Sequence, residues 1–308
     1  MKVLVTGGAG FIGSHVVDRL IEEGHQVVVV DNLATGKRKN VNRAASLYKT
    51  DISSGWRLER VFRNERPNIV LHLAAQVSVR RSVDDPMFDA QVNVLGTMNL
   101  LHQAVRYGCR KVVFSSSGGA IYGEQETFPA SESHATNPLS PYGISKLCGE
   151  HYLSYFQRVS GIPVVSLRYA NVYGPRQDPD GEAGVVAIFI QKMLNNEQPL
   201  INGNGRQTRD FVFVDDVAEA NLAAMRQDAH GVYNVGTGTE TSVNELFRMV
   251  AGLTGSTVKE VHGPAKAGEH VRSVVDPSRI KQELGWDVRV GLPEGLKQTV
   301  EYFQGKGR

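Results

Sequence analysis

The amino-acid sequence predicts a doubly wound α/β fold, a parallel-sheet Rossmann arrangement with a smaller, partly interleaved C-terminal lobe. Three observations carry this. Short, near-continuous Val/Ile/Leu runs alternate with helix-like segments up to about residue 170, as strands buried on both faces do. A glycine-rich turn joins the first such run to the first helical pattern. After Arg168 the rhythm changes, and turn-rich stretches such as Gly174-Pro175, Asp178-Pro179-Asp180-Gly181 and Gly203-Asn204-Gly205 take over.

Taken in order, Val3-Leu4-Val5-Thr6 reads as the first strand. Phe11 to Glu23 is helical, with Ile12, Val16, Leu20 and Ile21 on one side. Val27–Val30, Ile69–Leu73, Val112–Phe114 and Val164–Leu167 read as further strands. Beyond them Phe211–Val214 and Val232–Val235 look like strands, and Val243–Leu253 and Leu292–Phe303 like helices. Residues 1–170 are therefore expected to form a dinucleotide-binding domain with a later return near 209–235, and residues 171–308 mainly a substrate lobe. The length of 308 residues suits two such units.

Composition narrows the function. Lys+Arg 34 against Asp+Glu 32 leaves +2, which speaks against a nucleic-acid polymer or an anionic membrane as partner. Charged residues at 21% and hydrophobic ones at 41% are globular values. The two cysteines, Cys109 and Cys148, have no zinc-site spacing, so no metal is expected. They read as reduced thiols of a cytoplasmic protein. Gly7 and Gly8 cut short the apolar start that a signal peptide would need, and no run approaches the ~20 apolar residues of a membrane span.

Gly7-Gly8-Ala9-Gly10-Phe11-Ile12-Gly13 has the spacing G-x-x-G-x-x-G between strand and helix. Gly7 allows the tight turn, Gly10 lets backbone approach a pyrophosphate, and Gly13 lets helix pack on sheet. The helix start at Phe11 and Ile12 then offers free N–H groups to the phosphates. Asp31 closes the next strand 18 residues beyond Gly13, near the spacing of a ribose-binding acid. Its carboxylate would accept from the ribose hydroxyls and repel a 2′-phosphate, so NAD is expected rather than NADP. A solvated strand-end Asp is the plain alternative. Asn32 beside it joins the candidate site, as do Asp51 for the adenine amino group and Ile52 for the ring face.

Tyr142 and Lys146 lie four apart at a helix start, on one face. An ammonium near a tyrosine favours the phenolate that general-base work requires. Ser115-Ser116-Ser117 ends the strand Val112–Phe114, where ligands of open α/β sheets bind.

With these four parts in place the sequence resembles the extended short-chain dehydrogenase/reductase family over nearly its whole length. Leu73-Ala74-Ala75-Gln76, Asn93-Val94-Leu95-Gly96-Thr97, Arg168 through Pro175, Arg209 through Val217 and Leu284-Gly285-Trp286 carry the resemblance further. Within the family it looks most like UDP-glucose (UDP-galactose) 4-epimerases. The resemblance implies that Tyr142 takes the proton of the sugar 4-hydroxyl while C4 gives a hydride to NAD. It implies that Ser117 hydrogen-bonds that oxygen and that Lys146 holds the nicotinamide ribose. Leu73, Ala74, Ala75, Asn93 and Tyr169 would complete the cofactor site. One extra residue in Ser117-Gly118-Gly119-Ala120-Ile121-Tyr122-Gly123, relative to related epimerases, leaves Ser116 as the alternative to Ser117.

Related dehydratases and decarboxylases carry acids just before the Val-Tyr-Gly element, whereas Gly119-Ala120 stands here. Without that acid, neither elimination nor decarboxylation has its proton donor. For the diphosphate the resemblance offers Asn171, Arg209 and Lys266, with Arg272 as alternative to Lys266. A lysine keeps the charge but loses the bidentate fork. The Asn-Leu pair that some epimerases present to substrate is not evident in Gly184-Val185-Val186-Ala187. Ser273 falls where epimerases restricted to unsubstituted hexoses have tyrosine, so room for an N-acetyl group is expected. Arg80-Arg81 admits UDP-glucuronate as an alternative substrate, and a non-catalytic NAD-binding protein of the same fold is the alternative of a different class. The family further implies a homodimer through helices around Asp85–Arg106 and Tyr142–Ser160; Met98, Leu101 and Val105, or Leu147, Tyr152 and Tyr155, are compatible with it, and core packing explains them equally well.

Overall fold

A computed structural model describes residues 1–180, 184–226, 228–265 and 271–305. The first part of the chain runs β1 (Lys2–Thr6), α1 (Phe11–Glu22), β2 (Gln26–Asp31), β3 (Ser46–Lys49), α2 (Gly55–Glu65) and β4 (Ile69–His72). It continues through α3 (Val79–Asp84), α4 (Pro86–Ala90), α5 (Gly96–Arg106), β5 (Lys111–Ser117), α6 (Gly118–Ile121), α7 (Pro141–Ser160) and β6 (Val164–Tyr169). Then follow β7 (Asn171–Tyr173), α8 (Val185–Leu194), β8 (Ile201–Asn202), β9 (Thr208–Arg209), β10 (Phe211–Phe213), α9 (Val214–Ala224) and β11 (Gly231–Val235). The last elements are β12 (Thr241–Ser242), α10 (Val243–Thr254), β13 (His262–Gly263), β14 (Arg272–Ser273), α11 (Ser278–Leu284) and α12 (Leu292–Phe303).

Seven strands make the central sheet in the order β11-β6-β5-β4-β1-β2-β3, and every pairing in it is parallel. Period-two alternation builds its two faces. Val3, Val5, Val27, Val29 and Val113 point into one core, with Val16 and Leu20 of α1 and Val217 of α9. Leu4, Val28, Val30, Val112 and Phe114 point into the other, with Leu58 and Phe62 of α2, Leu100 and Leu101 of α5 and Leu153 of α7. A parallel sheet with both faces covered has to be apolar all along its strands, which is why the Val runs read so plainly.

The chain leaves the sheet after β6 and re-enters it as β11. The lobe is built from segments on both sides of β11, and its own core joins Tyr173, Phe189, Ile190, Phe211 and Phe213 from before that strand with Leu246, Phe247 and Leu296 from after it. Two pieces of the lobe matter for the site. β7 and β10 pair in parallel, with Asn171 opposite Phe211. β9 lies between β12 and β14, which sets Arg209 opposite Thr241 on one side and Ser273 on the other.

Strand order reverses between β1 and β4. The crevice above the carboxyl ends of such strands is where open α/β sheets take their ligands.

Candidate active site

Gly7 follows β1 with φ +73°, a left-handed conformation that glycine adopts without strain. A Cβ there would stand 2.7 Å from the amide nitrogen of Ala74, so the turn after β1 and the loop after β4 meet backbone to backbone. A Cβ on Gly13 would lie 2.1 Å from the Gly7 carbonyl oxygen, and this glycine lets α1 seat on the turn. Gly10 is the N-cap of α1 and brings no side chain to it. By contrast Ser140 caps α7 and Ser242 caps α10 with side-chain oxygens. The first N–H groups of α1, at Phe11 and Ile12, thus remain for an anion.

Asp31 is buried at the end of β2, where Oδ2 accepts from Ala9 N at 3.0 Å and Oδ1 from Leu33 N at 2.8 Å. The carboxylate is therefore aimed by backbone, with lone pairs left for ligand hydroxyls. Asn32 donates to Asp51 Oδ2 at 2.8 Å, while Ser53 donates to Asp51 Oδ1 through its amide and hydroxyl. Burial works against the Asp51 charge, but the Ser53 and Asn32 bonds outweigh it and hold the carboxyl below its ordinary value. Ile52 is buried in the notch left by Gly96, where a Cβ would lie 2.8 Å from its Cδ1.

The loop after β4 is pinned at both ends. Leu73 N bonds Thr6 O, and Ala74 N bonds Thr6 Oγ1; Ala75 is partly exposed between Ala74 and the buried Gln76. Asn93 lies in a single π-helical turn at 91–95, between α4 and α5. Such turns re-aim side chains. Here the Asn93 amide accepts from Gln76 N at 2.9 Å and donates to Gln76 O at 2.9 Å. Its amide is thus a clasp on the loop. Tyr169 turns its hydroxyl to Asn221, 3.0 Å away in the core beneath β6, and burial pushes its phenol pKa upward.

Tyr142 and Lys146 lie in the first turns of α7. The Tyr142 amide donates to Ser82 Oγ at 3.1 Å, which ties the helix start to α3. Lys146 is 3% exposed. Its Nζ donates to the Ser115 carbonyl at 2.8 Å and lies 5.8 Å from the Tyr142 ring centroid. Burial brings the lysine down to about 8, against the pull of Asp89 and Glu150. Burial also raises the Tyr142 phenol to about 12, opposed by a hydrogen bond with Ser117.

The three serines are told apart here. Ser115 gives its carbonyl to Lys146. Ser116 is buried and donates to Glu150 Oε1 at 2.5 Å. Ser117 alone of Ser116 and Ser117 hydrogen-bonds Tyr142. Gly118 is pressed against Val275 and the Arg168 carbonyl, whereas a Cβ on Gly119 would have room, 3.8 Å from Asn171 Oδ1. Asn171 therefore faces the floor beside Ser117.

On the lobe side Arg209 and Ser273 are register partners on adjacent strands, and Ser273 is buried. Arg209 Nη1 donates to the Thr208 carbonyl at 2.8 Å. Arg272 makes a two-pronged bond to Glu240, at 2.9 and 2.6 Å, and its guanidinium lies 3.6 Å from the Phe128 ring centroid. Its charge is already answered. Lys266 lies outside the described residues. Arg80 stands beside Asp84 on the outer face of α3, and Arg81 stacks on Phe88 at 4.0 Å. Both are exposed, and neither favours a glucuronate carboxylate.

The family model for the NAD dependent epimerase/dehydratase family matches residues 3–236. The chain belongs to this family. It is 45% identical over 314 residues to a UDP-glucose 4-epimerase of Mycolicibacterium smegmatis, covering 100% of both chains. Among solved structures it is similar to the UDP-glucose 4-epimerase of Thermotoga maritima with UDP-glucose, at 51% identity, TM-score 0.98 and 99% coverage of each chain. It is also similar to the Thermus thermophilus UDP-glucose 4-epimerase in complex with NAD, at 47% identity, TM-score 0.95 and 99% coverage of each.

Sequence reasoning missed several residues that shape this site. Glu150 is four residues beyond Lys146 and meets Arg168 in a buried pair, Oε2 to Nη2 at 2.7 Å. That spacing was the available signal. Gln76, Ser82 and Asp89 are buried polar residues at the site's back wall, and only tertiary packing reveals them. Of the two readings open for Leu101, core packing holds. Leu101 is 0% exposed and belongs to the core under the sheet, because the face of α5 that carries it packs inward.

Proposed function

We propose that this enzyme interconverts UDP-glucose and UDP-galactose by NAD-dependent inversion at C4. The observation that carries the reading is the pairing of Tyr142 with Ser117 and Lys146 at the strand ends, in a stretch, residues 115–123, that holds no Asp or Glu. Paired acid and base at C5 and C6 would be required for elimination; oxidation and re-reduction at C4 requires neither. Bound NAD supplies the hydride acceptor and then the donor at C4.

Gly7, Gly10, Phe11, Ile12 and Gly13 would hold the pyrophosphate of NAD, and Asp31 the adenosine ribose. Asn32 and Asp51 form the rim around the adenine, over the buried Ile52. Leu73, Ala74 and Ala75 would line the cofactor site. Tyr142 accepts the proton of the sugar 4-hydroxyl, Ser117 hydrogen-bonds the same oxygen, and Lys146 favours the phenolate by its charge. The 4-keto sugar would turn within the site and, once reduced on its other face, would recover the proton from Tyr142. Asn171 and Arg209 hold the diphosphate. Ser273, small and buried beside Arg209, leaves space for a 2-N-acetyl group, so UDP-GlcNAc and UDP-GalNAc are substrates too.

The protein is a homodimer through α4, α5 and α7. α4 and α7 and the turn at 91–95 expose Met87 at 80%, with Leu95, Ile144, Tyr155 and Val159, apolar side chains of the kind that mark an interface. Sedimentation of the purified protein as a monomer would remove this part. No described helix is long and apolar enough to cross a membrane, and action in the cytoplasm accords with two unpaired cysteines.

The deciding experiment incubates the purified protein with UDP-galactose and measures UDP-glucose, after the cofactor released by denaturation has been identified. Absence of NAD and of turnover would refute the reading.

A further inference from the structure

Behind Tyr142 and Lys146 lies a buried acid that the chemistry above does not use. Asp89, in α4, is 1% exposed. Its Oδ1 accepts from Gln76 Nε2 at 2.9 Å and from Asn93 Nδ2 at 3.0 Å. The same Asn93 nitrogen reaches Ser145 Oγ at 3.2 Å, one residue before Lys146. Both partners of Asp89 are neutral amides, so hydrogen bonding anchors the carboxylate without cancelling its charge.

The other charges around the pair are accounted for. Glu150, on α7, is bound by both Arg168 Nε and Nη2 from β6. His72, from β4, is held neutral by burial and by the Lys146 charge, down to about 3. From α3, Arg80, Arg81 and Asp84 face solvent, where water and salt screen them. His151 on α7 is likewise exposed. Among the described residues, Asp89 is left as the buried acid near Lys146 with no cation of its own.

We propose that Asp89 is a positioning residue for the reaction, the counter-ion of Lys146 that sets the charge state of the Lys146–Tyr142 pair from behind. This rests on the epimerase reading above. Asp89 favours the charged lysine and opposes the charged phenolate, so it raises the proton affinity of both groups. That arrangement matches an enzyme that must return the proton it takes. A lysine that lost its charge would strand the tyrosine without its activator, and a tyrosine that was too acidic would be a poor donor on the return step.

Asp89→Asn keeps the shape and an acceptor for Gln76 and Asn93 but removes the charge. Both groups then release their protons more easily, and both limbs of the pH–rate profile of the NAD-loaded enzyme move to lower pH, by about one unit. Loss of packing alone would lower the rate at every pH and leave the limbs in place, which would overturn the proposal. Asp89→Glu restores the charge and should bring the limbs back toward the wild-type positions.

Tyrosinate difference absorbance of the NAD-loaded protein, with Tyr142→Phe subtracted, reads the same shift without any turnover. An unmoved titration there overturns the proposal even if the epimerase assay fails; a moved titration supports the counter-ion and leaves an assay failure to count against the substrate reading alone. If neither Asp89→Asn nor Asp89→Ser retains NAD, Asp89 serves only as scaffold and the proposal falls.

Discussion

Two buried cations meet the same face of α7 and differ in nearly everything else. Arg168 is 5% exposed and Lys146 is 3% exposed. Arg168 has Glu150 on two of its nitrogens, at 3.0 and 2.7 Å, and the Tyr122 hydroxyl at 2.9 Å on a third. Burial works against its charge, but Glu150 outweighs burial and holds the guanidinium above its ordinary value. Lys146 has one carbonyl and two aromatic faces, Phe114 at 5.0 Å and Tyr142 at 5.8 Å, and burial brings it to about 8. A buried charge that is fully paired is costly to unpair and is silent to a ligand. A charge held by weak partners remains available to whatever enters the crevice. The comparison predicts that changes near Lys146 remove activity and spare the fold, while changes near Arg168 do the reverse.

The largest effect is expected at Tyr142. Tyr142→Phe should lower kcat by about 10²–10⁴-fold, the usual worth of a general acid–base group. Bound NAD and the melting temperature should stay near wild type, since the ring remains in place. A variant with near-normal kcat would move the proton transfer elsewhere.

On the other side, Glu150→Ala strips Arg168 of its buried partner. Leaving such a charge unpaired costs about 3–5 kcal/mol, to be read as a lower midpoint in denaturant titration. The guanidinium would keep only the Tyr122 hydroxyl, itself bonded to Asn234 of β11, and the Glu132 carbonyl as partners. If Glu150→Ala melted normally and lost only turnover, the two cations would not divide the work in this way.

The adjacent serines sharpen the contrast within two residues. Ser117→Ala removes a hydroxyl that bonds Tyr142 and should cost kcat about tenfold or more, at about 1.5–3 kcal/mol for a bond to a charged oxygen. Ser116→Ala removes a donor to Glu150 and should lower stability by a comparable amount while kcat stays within a factor of a few. A reversed outcome would make Ser116 the catalytic hydroxyl.

Much of this was legible in the sequence, and the split follows physical lines. The parallel sheet showed itself because both faces of β1, β2 and β6 are buried, leaving unbroken Val runs. Gly7 and Gly13 showed themselves because no other residue fits against Ala74 and Gly7 there. Tyr142 and Lys146 share one helix and keep a readable spacing. The lobe is different. Arg209 and Ser273 become neighbours through two-residue strands joined in register across more than sixty positions, which no local pattern encodes. Asp89 and Gln76 were hidden for a similar reason, since a buried carboxylate looks like any helix-face Asp until its partners are seen. The family resemblance points Asn93 at the cofactor, yet its amide clasps Gln76, so its effect on a ligand passes through the loop.

The smallest effect concerns the proton on Lys146 itself. With the lysine near 8, the ammonium that favours the phenolate is present below that pH and is lost above it. Turnover should therefore decline on the alkaline side, by about fourfold between pH 7 and pH 8.5 if only the charged lysine supports the reaction. Lys146→Arg tests whether charge alone matters. A guanidinium keeps its proton through this range, so the alkaline decline should disappear. The rate should still fall, because a planar fork cannot reproduce the single bond from Nζ to the Ser115 carbonyl. An Arg variant that retained the same alkaline limb would assign that limb to another group, and Lys146 would then act by position rather than by charge.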